Sequence, residues 1–191
     1  MRKVAAFAQM TLDGYAAAAT GMGLEFTFRA YNDELSNFHD NHIRADIGTA
    51  VYGRKTFVGM RDYWSTVPDN PEASDHEREH AAWVTDVDKL VFSTTLDTPG
   101  WANTRIIAGN AVAQVEALKA EDGGTLAIYG SPSLTHWFTE QGLVDEFRVF
   151  IHPITIGAGI PLFQDKTALD LNLLESKIFD SGAVYVRYQV A

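Results

Sequence analysis

Apolar positions fall in short runs that alternate with segments of helical period. Lys3–Gln9, Ile47–Tyr52, Leu90–Ser93, Arg105–Ala108, Leu126–Tyr129 and Phe147–Ile151 read as strands; the first two are continuous enough to be buried. Between them, Tyr31–Arg44 places Leu35, Phe38 and His42 or Ile43 on one stripe, which predicts a helix. A second helix starts at Arg54, after Gly53, and runs to about Met60. Val112–Ala120 is a third, closed by Gly123-Gly124. Ser131-Pro132 supplies an N-cap and a first-turn proline to a fourth, whose apolar face is Leu134, Trp137 and Phe138 and whose end is Gly142. Leu169–Ser176 and Ala183–Val190 form a terminal antiparallel pair about Asp180-Ser181-Gly182.

Strands alternate with helices as far as Ile151, and strands finish the chain. That order predicts an α/β fold with a mostly parallel sheet and antiparallel C-terminal strands. Ligands of such sheets bind at the carboxyl ends of the strands. Asp13–Arg29 reads as a polar loop broken by glycine. Thr66–Glu79, with Pro68 and Pro71, reads as a surface loop holding a short acidic helix.

The 191 residues suit one domain, 1–191, and 46 % apolar content suffices for a full core. Cysteine is absent, which excludes disulfides and thiolate chemistry and fits a cytoplasmic protein. Asp13-Gly14 interrupts the first apolar stretch too early for a signal peptide, and no window approaches the roughly 18 apolar residues of a membrane span. A net charge of −10 without a basic stripe disfavours nucleic acid, so any anionic ligand has to be small and met by local cations. The six histidines show no metal-ligand spacing; His39 and His42 are expected on a helix surface or in structural hydrogen bonds. Asp145 and Glu146 are expected to cap or pair. Trp64, Trp83 and Trp101 are expected to pack in the core or on the surface, with covering a ligand as the alternative.

Three strand ends carry candidate chemistry. At Tyr52-Gly53-Arg54-Lys55-Thr56 a glycine and two cations precede a helix N-terminus, a favourable setting for phosphate. Phe92-Ser93-Thr94-Thr95 offers hydroxyls for a phosphate or ribose. Tyr129-Gly130-Ser131-Pro132 is a second strand–glycine–helix junction. Each loop alone reads equally as a plain turn; two such junctions in one sheet point to a dinucleotide.

These loops, with Met10-Thr11-Leu12-Asp13-Gly14, Leu143-Val144-Asp145-Glu146, His152-Pro153 and Gly157-Ala158-Gly159-Ile160-Pro161-Leu162-Phe163, give the chain a resemblance to the dihydrofolate reductase superfamily. The stand-alone proteins similar to the reductase domain of riboflavin biosynthesis enzymes are nearest. The resemblance implies a three-layer sandwich and NADPH as cofactor. Gly53, Arg54, Lys55 and Thr56 would hold the pyrophosphate and 2′-phosphate, Ser93 and Thr94 the adenosine side. Gly130 and Ser131 would cradle the pyrophosphate, and the backbone of Ala8 and Gln9 would face the nicotinamide. Ser131 stands where the family usually has a second glycine, so its side chain either crowds the cofactor or adds a hydrogen bond. Asp13, Leu35 and Phe38 would border the substrate. The catalytic carboxylate of the first helix maps to Glu34 when apolar residues are matched, but to Asn37 when positions are counted back from Gly53. The implied function is hydride transfer to a small pterin- or pyrimidine-like heterocycle. The alternatives are a nucleotide-binding module without catalysis and a flavin-using oxidoreductase. The C-terminal half implies a homodimer.

Overall fold

The computed structural model describes residues 1–20, 23–164 and 167–191. In chain order its strands are β1 (Val4–Thr11), β2 (Tyr15–Ala18), β3 (Ile47–Gly53), β4 (Asp88–Phe92), β5 (Thr104–Ile107), β6 (Thr125–Tyr129), β7 (Glu146–His152), β8 (Gly159–Pro161), β9 (Leu171–Ile178) and β10 (Val184–Val190). All but β2 and β8 join one sheet in the order β5-β4-β3-β6-β1-β7-β10-β9. Pairs from β5 to β7 are parallel, and β10 is antiparallel to both β7 and β9.

The helices are α1 (Asp33–Phe38), α2 (Arg54–Trp64), α3 (Asp75–Asp86), α4 (Ala111–Ala120) and α5 (Pro132–Glu140). Side chains that alternate along β1 divide the core. Val4, Ala6 and Ala8 pack with Val115 and Leu118 of α4 and Leu134 and Phe138 of α5. Phe7 packs in the other cluster, with Leu35 of α1 and Phe57 of α2. The fold is therefore the expected three-layer sandwich. Phe57 and Phe138, at 0 % and 1 % exposure, each contribute about 1.5–3 kcal/mol by burial.

Two expected loops contain more structure than their polarity suggested. Within Asp13–Arg29, β2 pairs antiparallel with β8, and Glu25–Thr27 forms a 3₁₀ turn; Gly21 and Met22 lie outside the described residues. The pairing also makes Gly159 the start of a strand. Within Thr66–Glu79, a 3₁₀ turn at Val67–Asp69 leads to α3, which runs to Asp86. A capping box starts it: the Glu77 N–H donates to Ser74 Oγ at 3.2 Å, and the Ser74 N–H donates to Glu77 Oε2 at 2.8 Å.

At the amino ends of the strands, Asp145 and Glu146 pair as expected. Asp145 accepts from the Val4 N–H at 2.7 Å and pairs with Lys119 at 2.8 Å. Glu146 is fully buried between Lys3, Arg148 and Arg187. The glycine-bearing junctions at Gly53 and Gly130 lie at the other end of the sheet. No helix among the described residues is long and apolar enough to cross a membrane.

Candidate active site

Because α2 follows β3, α4 follows β5 and α5 follows β6, three helix N-termini stand at the carboxyl edge of the parallel strands. Their N-caps are Gly53, Asn110 and Ser131, and none makes a side-chain cap bond. The other two helices are capped: Asn32 accepts from the Leu35 N–H at 3.0 Å in α1, and Ser74 caps α3. Uncapped first-turn amides leave donors and the positive end of the helix dipole directed at this edge. A groove of about 500 Å³ lies there, bordered by Arg54, Ser93, Thr94, Asn110 and Trp137. Arg54 and Lys55 are exposed and make no ion pair among the described residues. Ser93 Oγ accepts from the Thr95 and Leu96 N–H groups at 3.2 and 3.0 Å, so it first of all shapes the turn.

Gly53 and Ser131 meet each other. Gly53 has ordinary extended backbone, but a Cβ there would collide with Ser131 Oγ. The glycine thus makes room for the serine, which turns its hydroxyl onto Gly53. Ser131 serves as N-cap by position only. Its φ of +57° follows the +55° of Gly130. This left-handed pair turns the chain sharply from β6 into α5.

Across the first turns of α2 and α5 from the groove lies a cavity of about 270 Å³, near the lower end of the roughly 300–1,000 Å³ usual for ligand pockets. Phe7, Ala8, Gln9 and Tyr129 contribute strand residues to it, Thr56, Met60 and Trp64 line it from α2, Gly130 from the turn after β6 and Thr135 from α5. Leu35 is its α1 residue. His39, His76 and His80 form a polar wall. After α1 the chain widens into a π turn, His39–Ile43, which presents His39 and Asp40 together. His39 Nε2 lies 3.2 Å from the Tyr129 hydroxyl and Nδ1 lies 2.9 Å from Asp40 Oδ1. Burial lowers the His39 pKa against the opposing pull of Asp40, and burial raises that of Tyr129. Burial acts to raise Asp40, but hydrogen bonds from His39 and His80 outweigh it and hold the carboxyl well below its usual range.

Gln9 is fixed from behind. His152, fully buried, places Nε2 at 2.6 Å from Gln9 Oε1, while Nδ1 is buried without a partner. The ring is therefore neutral and carries its proton on Nε2, and burial lowers its pKa to about 4.

Of the residues expected at the site, Ala8, Gln9, Leu35, Thr56 and Gly130 line the cavity, and Arg54, Ser93 and Thr94 line the groove. Gly53 and Ser131 form the junctions beside them, and Lys55, exposed in the first turn of α2, lines neither space. Three expectations do not match the geometry. Glu34 lines neither space; it accepts from the Asp180 N–H at 3.1 Å and pairs with Lys177 at 3.2 Å. One residue along a helix is about 100° of rotation, so Leu35 faces the cavity and Glu34 the C-terminal hairpin. Asp13 is spent on the turn before β8, accepting from the Gly157 N–H at 2.8 Å and the Ile156 N–H at 3.2 Å. Phe38 packs on Phe179 and Tyr185 instead of the cavity, with ring centroids 5.4 and 5.1 Å away. Sequence reasoning missed His76 and His80, and it favoured packing for Trp64, which lines the cavity. The signal was present in Ser74-Asp75-His76-Glu77, a helix-starting pattern that puts His76 and His80 one turn apart.

Comparison with known proteins agrees with this architecture. The pattern of the RibD C-terminal domain family matches residues 2–185. The uncharacterized protein YyaP of Bacillus subtilis (strain 168) is 38 % identical over 144 residues, 74 % of this chain and 73 % of YyaP. A putative riboflavin biosynthesis protein from Shewanella sp. PV-4 superposes with a TM-score of 0.77 at 22 % identity, covering 99 % of both chains. Dihydrofolate reductase from Enterococcus faecalis, complexed with NADP(H), superposes with a TM-score of 0.61 at 14 % identity, over 98 % of this chain and 96 % of the other. The chain belongs to the RibD C-terminal domain family, and its fold is that of the dihydrofolate-reductase-like proteins.

Proposed function

We propose that this protein is an NADPH-dependent reductase that transfers a hydride to a small nitrogen heterocycle of the pyrimidine or pterin class. The observation that carries the reading is the convergence of three helix N-termini without side-chain caps on one groove, with Arg54 and Lys55 beside it and a small cavity next to it. Free amides at helix N-termini suit a pyrophosphate, and two cations in an acidic protein suit a further phosphate. These residues fit a phosphorylated dinucleotide. NADP(H) in the Enterococcus enzyme supports the same choice.

When bound, NADPH supplies the hydride. The protein's part is binding and positioning. Gly53–Thr56 and Gly130-Ser131 hold the phosphates, while Ser93 and Thr94 border the adenosine side. The β1 backbone at Ala8 and Gln9 borders the nicotinamide, with Gln9 held by His152. Phe7, Leu35 and Trp64 exclude water from the acceptor ring. Of the carboxylates near α1, Glu34 is engaged by Lys177 and Asp40 by imidazoles, and Asp33 is exposed at the start of the helix and does not line the cavity. Dihydrofolate, whose C=N reduction relies on an acid at this helix, is therefore a poor acceptor.

The test is mass spectrometry of products formed with NADPH deuterated at the transferring position and a panel of aminopyrimidines and pteridines. One deuterium is expected in a pyrimidine-type product, with dihydrofolate turning over at least about 100-fold more slowly, the scale of a missing positioned acid. Cofactor binding without deuterium transfer to any acceptor would instead identify a nucleotide-binding module without catalysis.

A further inference from the structure

We propose that His39, Asp40, His76 and His80 form a binding site for one divalent transition-metal ion, zinc by preference, in the wall of the cavity. Two elements contribute. The π turn after α1 brings His39 and Asp40, and α3 brings His76 and His80, four residues apart and so on one face of the helix. The His39, His76 and His80 Nδ1 atoms all face one carboxylate, at 2.9 Å from Oδ1, 3.1 Å from Oδ2 and 3.5 Å from Oδ1 of Asp40. Tetrahedral ligand atoms at zinc–nitrogen distances of about 2.0–2.1 Å lie about 3.3 Å apart, so these separations bracket the required spacing. Donor atoms of His39, Asp40 and His80 all lie within 4.8 Å of one another. His76 stands outside that group of three and meets it through Asp40 Oδ2 at 3.1 Å, so it joins the other donors by rotation of its own side chain.

The donor set selects the ion. Three imidazoles and one carboxylate suit zinc and its neighbours, whereas magnesium and calcium need mostly oxygen. Support behind the ligands is also present. The second nitrogen of His39 lies 3.2 Å from the Tyr129 hydroxyl, which fixes the ring and leaves Nδ1 for the ion. His80 is held against the Trp64 ring at 4.4 Å between centroids. The Arg44 guanidinium, 3.4 Å from Asp40 Oδ1 and 5.2 Å from the Trp83 ring centroid, competes for the carboxylate. It weakens the site electrostatically without removing a donor.

The experiment is titration of the full chain, stripped with chelator, with Co²⁺ followed by its visible ligand-field bands, and then displacement by Zn²⁺. One equivalent is expected, with a four-coordinate spectrum, displacement by zinc and none by Mg²⁺. His76→Ala and His80→Ala should each weaken binding at least tenfold, while His42→Ala, an exposed imidazole outside the cluster, should leave it unchanged. Thermal melts establish that each variant is folded, and His80→Gln replaces the alanine variant if that one is not. Absence of saturable binding overturns the proposal. So does binding that survives intact in the folded His76 and His80 variants, or that falls equally in the His42 variant. The readout uses no NADPH, so its failure leaves the reductase reading standing.

Discussion

The pairing of Gln9 with His152 shows how one buried hydrogen bond ties the edge of the cavity to the stability of the molecule. His152 is neutral in the folded chain, with a pKa of about 4, against about 6.5 for an unburied histidine. The folded state binds fewer protons there than the unfolded state between these values. Its contribution is complete above about pH 6.5 and is lost as pH falls through 4. Chemical denaturation from pH 7 to 4 is expected to show the wild type losing on the order of 3 kcal/mol more than His152→Gln, which cannot titrate. Parallel pH profiles for the two proteins would refute this. His152-Pro153 was visible in the sequence, but its hold on Gln9 depends on the neighbouring register of β1 and β7, which pairs Thr11 with His152. Glu34 faces away from the cavity for a related reason. A stripe of Leu35 and Phe38 marks the buried side of a short helix without saying which apolar residue meets the cavity and which meets β10.

At the level of elements, the turn from β6 into α5 carries most of the argument for phosphate binding. Gly130 has φ +55° with only Thr56 Cγ2 near a would-be Cβ, at 3.6 Å, so space is available but the backbone is left-handed. Gly130→Val should cost roughly 1–2 kcal/mol or somewhat more in stability, because a β-branched residue is strained there. It should also weaken NADPH binding by more than tenfold through crowding at the α5 N-terminus. Thermal melts and cofactor titration on the same preparation separate the two effects, and a folded variant with wild-type affinity would contradict the role given to this turn. Both strand–glycine–helix junctions were legible from their glycines and the Ser131-Pro132 pair. The contact between Gly53 and Ser131 was not, since it joins residues 78 positions apart in sequence. For α3, the polar character of Thr66–Glu79 concealed a helix that its own capping box announces.

Over the whole molecule, the alternation of strands and helices conveyed the class of sheet, while its order, with β6 inserted between β3 and β1, rests on contacts far apart in the chain. β9 is left as a sheet edge with Leu173, Leu174 and Ile178 exposed at 55 %, 46 % and 79 %. Unpaired edges with apolar side chains invite association. We propose a twofold homodimer through this edge, the commonest closed arrangement. Phe179, just after β9, is buried inside the chain and takes no part in this edge. Light scattering at micromolar concentration should return twice the 21.1 kDa chain mass, and Leu173→Glu should shift it to the monomer; a wild-type monomer would rule the dimer out.

Cofactor choice reaches the centre of the account, because the groove, the uncapped helices and two cations unpaired among the described residues together suit one phosphorylated dinucleotide. Titrating the protein with NADPH and with NADH, followed by quenching of the tryptophans that include Trp64 and Trp137 beside the two spaces, measures it directly. One equivalent of NADPH is expected to bind at least tenfold more tightly than NADH, with the preference largely lost in Arg54→Ala. No saturable binding of either, equal affinity for both, or a preference unchanged in Arg54→Ala would contradict the account.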